Sequence, residues 1–164
     1  YSRHGYLDGR ALRLPIVVTH PGPASGSISD QVAALTREPL RGQKVVCRIP
    51  SDSQMVVATV DKVIDGFIRL ASLPEEAIQH ARTMNLPGLT VTPQEITEAV
   101  NRKLGEKAGQ YVDWAPDQQV RNIIEGWPKA FTSARALALG ITPNQSVDEI
   151  VESFISSERN SQHT

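Results

Sequence analysis

Between residues 11 and 18 only Arg13 interrupts a run of apolar side chains, several of them β-branched, and the run stops at Pro21-Gly22-Pro23, which no helix crosses. The pattern predicts a buried strand. A strand apolar on both faces belongs inside a sheet covered by helices, and such sheets bind ligands beyond the carboxyl ends of their strands, here residues 17–23. Ile28, Val32 and Leu35 then share one face of a helix that is over by Pro39. Residues 45–49 and 55–59 read as two short strands around the turn Pro50-Ser51-Asp52-Ser53. Thr59 caps a strongly amphipathic helix whose apolar face is Val60, Val63, Ile64, Phe67, Ile68 and Ala71, with Asp61, Lys62, Asp65 and Arg69 left to solvent.

Pro74 breaks that helix, and a further helical turn or two follows over 75–81. Residues 83–86 read as a strand closed by Pro87-Gly88. At Thr92 the signals of a helix start coincide. Glu95 completes a capping box, Pro93 takes the first helical position and Val91 can staple to Ile96; the helix runs to Leu104 and stops at Gly105. A brief strand at 111–114 precedes a helix capped by Asp117 that presents Val120, Ile123, Ile124 and Trp127. A short alanine-rich helix follows at 132–139. Ser146 and Glu149 open the last helix, which faces inward through Val147, Ile150, Val151, Phe154 and Ile155. With no internal repeat and no low-complexity linker, one unit is predicted over 1–164, its polar end 157–164 a disordered tail.

Composition narrows the classes of function. A chain of 164 residues that is 40% hydrophobic and 21% charged has enough apolar surface to bury a core, which excludes a disordered chain. The formal net charge of −1 leaves no basic excess to neutralise phosphates, so nucleic-acid binding is not predicted. No apolar stretch spans a bilayer and no signal peptide is visible, which predicts a soluble, cytoplasmic protein with no membrane partner. The first residue is Tyr1 rather than methionine, as expected of a processed or truncated chain. The one cysteine, Cys47, lies in an apolar run and reads as a buried structural thiol.

Most catalytic signatures are absent. There is no glycine-rich dinucleotide loop or P-loop, and the histidines His4, His20, His80 and His163 have no spacing suited to a metal. Nor does a lysine follow any of Tyr1, Tyr6 or Tyr111 at four residues, a known proton-relay spacing. What remains is the loop beyond the first strand, with His20 at its mouth, the hydroxyls of Ser25, Ser27 and Ser29, and a helix start whose exposed amides favour an anion. The same residues also suit plain turn and cap roles. Arg13, inside the apolar run, needs a partner if buried and reads as a structural ion-pair residue. Asn85 is a candidate polar contact at a strand end, and Trp114 and Trp127 are candidates for a pocket wall or for core packing.

Several segments in order carry a resemblance. Arg10-Ala-Leu-Arg-Leu-Pro-Ile-Val-Val-Thr-His-Pro-Gly is similar to the late strand and following loop of the extended short-chain dehydrogenases, the NAD-dependent epimerase/dehydratase family. The likeness continues through Arg37-Glu-Pro-Leu-Arg-Gly, Val45-Val-Cys-Arg-Ile-Pro, Asn85-Leu-Pro-Gly-Leu-Thr-Val-Thr, Trp127-Pro and Ala134-Arg-Ala-Leu-Ala-Leu-Gly. It implies an α/β fold, the C-terminal part of such an enzyme: late strands of a Rossmann sheet plus a small mixed α/β substrate-binding lid. The N-terminal Rossmann half, with the glycine-rich cofactor loop and the catalytic tyrosine and lysine, would lie upstream of Tyr1, so no catalytic residue is expected here.

By position, the resemblance implies that Leu14, Pro15, Ile16 and Val17 border the nicotinamide of NAD, and that His20, Ser25 and Ser27 touch a small sugar-acid substrate whose secondary hydroxyl is oxidised. Similar dehydrogenases often have arginine where His20 stands; histidine holds an anion less firmly and in a pH-dependent way. The strand at 11–18 is expected to pair along its edge with the missing N-terminal half or another chain, and family members are commonly homodimers. Two further readings stay open: epimerase or dehydratase chemistry on a sugar or sugar nucleotide, and a non-enzymatic helical binding or assembly module.

Overall fold

The computed structural model describes residues 2–20, 22–23, 25–78, 81–105 and 108–161. Seven short strands alternate with seven helices, as expected of an α/β chain. They are β1 (Ala11–Arg13), β2 (Ile16–Val18), α1 (Ile28–Leu40), β3 (Val45–Cys47), β4 (Met55–Thr59), α2 (Val60–Ser72), α3 (Glu75–Ile78), β5 (Thr83–Asn85), β6 (Leu89–Val91), α4 (Pro93–Leu104), β7 (Val112–Trp114), α5 (Gln118–Glu125), α6 (Ala134–Ala138) and α7 (Val147–Ser161). Three small sheets result: β1 with β5, β2 with β4 and β6, and β3 with β7. Every pair is parallel except β4 with β6.

The single strand expected over 11–18 is two strands in two different sheets. Pro15 has no N–H for a ladder and a fixed φ, so Leu14 and Pro15 become a joint between β1 and β2. Nor is the run buried throughout: Val18 is buried, Ile16 and Val17 are half-buried, and Leu14 is 38% exposed. The strand buried along its whole length is β4, paired on both edges. From it Met55 and Val57 enter a core with Val32, Leu35, Cys47, Ile49, Ile96, Ile124 and Ile150, while Ala58 joins a second cluster with Leu70, Ile78, Met84, Leu86 and Ile141. The two strands expected around the 50–53 turn exist, but β3 pairs with β7 across the chain and not with β4.

Local chemistry sets most boundaries. The Thr92 capping box forms as expected, with Thr92 Oγ1 accepting from the Glu95 N–H at 3.2 Å and Glu95 Oε2 accepting from the Thr92 N–H at 2.7 Å. Gly105 ends α4 at φ 74, in the left-handed region that glycine enters without cost. Thr59 caps α2, and the buried Asn144 amide clamps that turn, accepting from the Thr59 N–H and donating to its hydroxyl. The last helix continues to Ser161, so part of the tail expected over 157–164 is helical; Glu158 ties it to Arg41 at 2.6 Å, and residues 162–164 lie outside the described ones.

Helix α2 departs from its expected orientation. It sits on the β1–β5 pair through Gly66 and Leu70; a Cβ on Gly66 would come within 2.8 Å of Leu86 Cδ1 and 3.3 Å of Leu12 Cδ1. That close approach uses only one margin of the apolar arc. Ile64, Phe67, Ile68 and Ala71 face outward, and Asp61 and Lys62, expected in solvent, bond to Ser153 and Glu149 of α7. Among the described residues no helix is long and apolar enough to cross a membrane.

Candidate functional site

A cavity of about 380 Å³ opens against β2, within the usual range for small-molecule sites. Its walls are Leu14, Pro15, Ile16 and Val17 on one side, Val56 of β4 behind, Ser29 of α1 at one rim, and Trp127, Pro128 and Phe131 opposite. The four residues singled out in the 11–18 run therefore lie together in one wall. β2 is the edge of its sheet, so its second edge has backbone N–H and C=O groups that β4 does not use.

The facing wall has no regular secondary structure, yet it is fixed. Gly88 N–H donates to Phe131 O at 3.0 Å and Thr90 Oγ1 to Lys129 O at 2.9 Å, which lash the segment to β6. Lys129 Nζ turns back onto Ile124 O at 2.8 Å. Gly88 admits this closeness, since a Cβ there would meet Val56 Cγ1 at 2.5 Å and Pro15 Cγ at 3.2 Å, both lining residues. The result is an apolar slot with two aromatic side chains and one hydroxyl.

Beyond the carboxyl end of β2 the chain turns sharply. Thr19 has φ 69, a conformation that β-branched residues rarely hold, and it is buried, with its hydroxyl bonded to Val18 O at 2.5 Å and accepting from the Val60 N–H at 3.3 Å. Strain at a strand's carboxyl end marks functional positions more often than structural ones. Thr19 lies in the 17–23 segment that the sequence pattern points to, but its residue type gives no hint of a positive φ.

The turn delivers His20 to a buried ion cluster. Asp30, in the first turn of α1, holds Arg37 at 3.0 Å, and Arg37 also holds Glu38 at 2.8 Å; the guanidinium is fully buried. His20 Nε2 lies 3.2 Å from Asp30 Oδ1, and its Nδ1 3.5 Å from Arg37 Nη1. A guanidinium can only donate, so Nδ1 can take only the acceptor part in that contact, while the approach of Nε2 to Asp30 is an electrostatic one. Burial works against the Asp30 charge, but bonds from Arg37 and the Ser25 N–H outweigh it and hold the carboxyl below the usual range.

The expected substrate residues are thus gathered around Asp30 rather than along the cavity. Ser27 is the cap of α1, accepting from the Asp30 N–H at 3.1 Å, and its hydroxyl bridges those of Ser25 and Ser29 at 3.1 and 3.2 Å. Only Ser29 of this chain of hydroxyls reaches the cavity rim. His20 keeps about a third of its side chain exposed, at 36%. Arg13 is exposed and makes no ion pair with a described residue, so its expected structural pairing does not occur.

Elsewhere, Trp127 takes the pocket role, while Trp114 lies on a separate polar groove with Gln94 and Glu98. Asn85 sits in β5 opposite Arg13, away from the cavity. Cys47 is buried as expected, and burial pushes its thiol up to about 11. Among the described residues no cluster of three His, Cys, Asp or Glu could hold a metal; His80 and His163 lie outside them.

No family model matches the chain. It is 33% identical, over 94% of its length, to a D-erythronate dehydrogenase of Cupriavidus necator, and 30% identical, also over 94%, to one of Haemophilus influenzae. It covers 48% and 49% of these proteins, so the chain spans about half the length of the curated relatives it matches. Among solved structures, one described as a nucleoside-diphosphate-sugar epimerase from Agrobacterium tumefaciens superposes with a TM-score of 0.92 at 32% identity, over 98% of this chain and 47% of that one.

Proposed function

We propose that this chain, which belongs by those likenesses to the extended short-chain dehydrogenases of the epimerase/dehydratase family, is the substrate-side part of an NAD-dependent dehydrogenase that oxidises a secondary hydroxyl of a small sugar acid such as D-erythronate. The observation that carries the reading is the cavity wall of Leu14, Pro15, Ile16 and Val17 on the open edge of β2. An edge strand offers backbone donors and acceptors to a carboxamide, and a slot walled by Trp127 and Phe131 suits a flat ring. These residues therefore fit a nicotinamide. When bound, NAD supplies the hydride acceptor.

The chain's own residues bind and orient. Val56, Phe131 and Trp127 exclude water from the slot, and Ser29 can hold a substrate hydroxyl at its rim. His20, held beside Asp30 and Arg37, does not line the slot itself and can meet only a part of the substrate that extends beyond the rim. The Asp30 carboxylate beside it limits what it offers a second carboxylate, so the acid group of a substrate takes at most a weak hold here. Proton abstraction from the hydroxyl falls to residues outside this chain, the tyrosine and lysine of the family pattern.

The test uses the protein expressed from its complete reading frame, supplied with D-erythronate and related aldonates, with NAD reduction followed at 340 nm as the usual absorbance signal of the reduced cofactor. Turnover is expected, and its absence with every aldonate would remove the substrate assignment. His20→Ala should raise KM about three- to tenfold while costing less than about 1 kcal/mol of stability, since Arg37 still holds Asp30. An unchanged KM would take His20 out of the site. The epimerase reading is favoured by the high structural likeness to the Agrobacterium protein; it predicts a changed sugar configuration with no net gain of reduced cofactor.

A further inference from the structure

Trp114 is 41% exposed on β7, and it lines a groove of about 340 Å³ that shares no residue with the slot at β2. The rest of the groove belongs mostly to α4. Gln94, Thr97, Glu98 and Asn101 follow one another at helical spacing and so share one face of that helix, with Ser51 of the 50–53 turn beside them. An aromatic ring and a polar helix face thus line one space.

Backbone bonds fix this frame. The Gln94 N–H donates to Ser51 O at 3.1 Å, and the Ala115 N–H, next to Trp114, donates to Cys47 O at 2.9 Å. Within the frame several polar groups have no protein partner. Asn101 Oδ1 is buried and accepts from nothing, the one such side-chain atom among the described residues, whereas the buried Asn144 amide both accepts from Thr59 and donates to it. Nor do the Asn101 amide nitrogen, the Ser51 hydroxyl or the Trp114 indole N–H bond to any described residue. Glu98 Oε1 accepts from Gln94 Nε2 at 2.9 Å, and its second oxygen stays open. A buried carbonyl without a donor is costly, and native proteins rarely leave one without a reason. The last torsion of an asparagine is broad, so a part turn of the amide brings this carbonyl to the groove that Asn101 lines.

These groups select a ligand. Glu98 carries the only formal charge among the lining residues, which disfavours anions, the sugar acid proposed for the slot included. An ammonium would suit Glu98 and the indole face, but it can only donate, and it leaves the N–H groups of Asn101 and Trp114 unmatched. Hydroxyls donate and accept at once. A neutral sugar ring carries them around its rim and presents C–H groups on its faces, which suit the apolar body of an indole.

We propose that this groove is a binding site for a neutral sugar, with a ring face laid on Trp114 and hydroxyls bonded to Asn101, Glu98 and Ser51. The site is independent of the dehydrogenase reading, since none of these residues lines the slot.

The test is an NMR titration of the isotopically labelled protein made from its complete reading frame, with the Trp114 indole N–H signal identified by its loss in Trp114→Phe. Methyl β-D-glucoside and methyl β-D-galactoside are added in turn, and choline and D-erythronate separately. At least one glycoside should move the Trp114 signal saturably, with a Kd of about 1–20 mM. Asn101→Ala should weaken that binding about fivefold or more, while Glu98→Gln, which keeps a hydrogen-bonding group without its charge, should change it less than about threefold. No saturation by either glycoside at about 50 mM overturns the proposal. So does an affinity unchanged in Asn101→Ala. A shift driven by choline and lost in Glu98→Gln makes the groove a cation site and overturns it too, as does one driven by D-erythronate. Should Asn101→Ala fail to fold, Ser51→Ala gives the same comparison from the turn. No readout uses NAD or turnover, so failure of the dehydrogenase assignment leaves the sugar site standing.

Discussion

Asp30 binds more of the candidate site together than any residue the sequence reading singled out. It holds His20, the Ser25 N–H and the buried Arg37, and its own N–H is capped by Ser27. Its carboxyl is held below the ordinary value of 3.8, so below that pH the unfolded chain binds the extra proton more readily. The stability contributed is therefore complete above the ordinary value and is lost as pH falls through the lowered one. Asp30→Asn should cost roughly 3–5 kcal/mol near pH 7, because it leaves Arg37 with Glu38 alone in a buried site. That gap should shrink in denaturant titrations as the pH falls below about 4, where the unfolded parent chain takes up the proton that the folded one still excludes. A gap constant from pH 7 to pH 3 would show that charge is not what Asp30 contributes. None of this was legible beforehand, since Arg37 and Glu38 look like an ordinary charged stretch of helix; only the fold puts them under the His20 turn.

At the level of elements, the cavity depends on how closely β6 and its preceding turn approach β4. Gly88→Ala forces a Cβ to within 2.5 Å of Val56 Cγ1 and 3.0 Å of Val57 O. The valine can turn but the carbonyl of a central strand cannot, so a loss of about 1–3 kcal/mol is expected in thermal or denaturant unfolding. A stability within a few tenths of the parent's would mean that β6 shifts freely. Helix starts and stops were legible because their chemistry is local: Thr92 with Glu95, Asp117, Thr59 and Gly105 act within a few residues. Pairing was not. β3 finds β7 from far along the chain, and β6, with only Leu89, Thr90 and Val91, is too short to stand out. The apolar arc of α2 was read correctly as an arc, but periodicity does not say what lies opposite it.

For the molecule as a whole, β1 and β2 each leave one edge unpaired among the described residues. If, as proposed, the chain is part of a larger dehydrogenase, a strand on the open edge of β1 would make one sheet of the two parts, which should then unfold together. Calorimetry of the protein from its complete reading frame should then show one cooperative transition; two well-separated transitions would show that this part folds independently. One wall of the cavity was legible at this scale from a single run of residues, since Leu14, Pro15, Ile16 and Val17 lie together in it. Its opposite wall was legible only in Trp127, because residues 127–131 are brought there by bonds from the Gly88 N–H and the Thr90 hydroxyl, far along the chain.

The joint at Leu14 and Pro15 separates β1 from β2 and also forms part of the cavity wall. Mechanically, the two sheets are a pair of levers and the slot sits at their fulcrum. A small rotation of one sheet against the other hardly displaces the slot but changes its width directly. Whatever fixes the angle between the two sheets thereby sets the aperture of the slot.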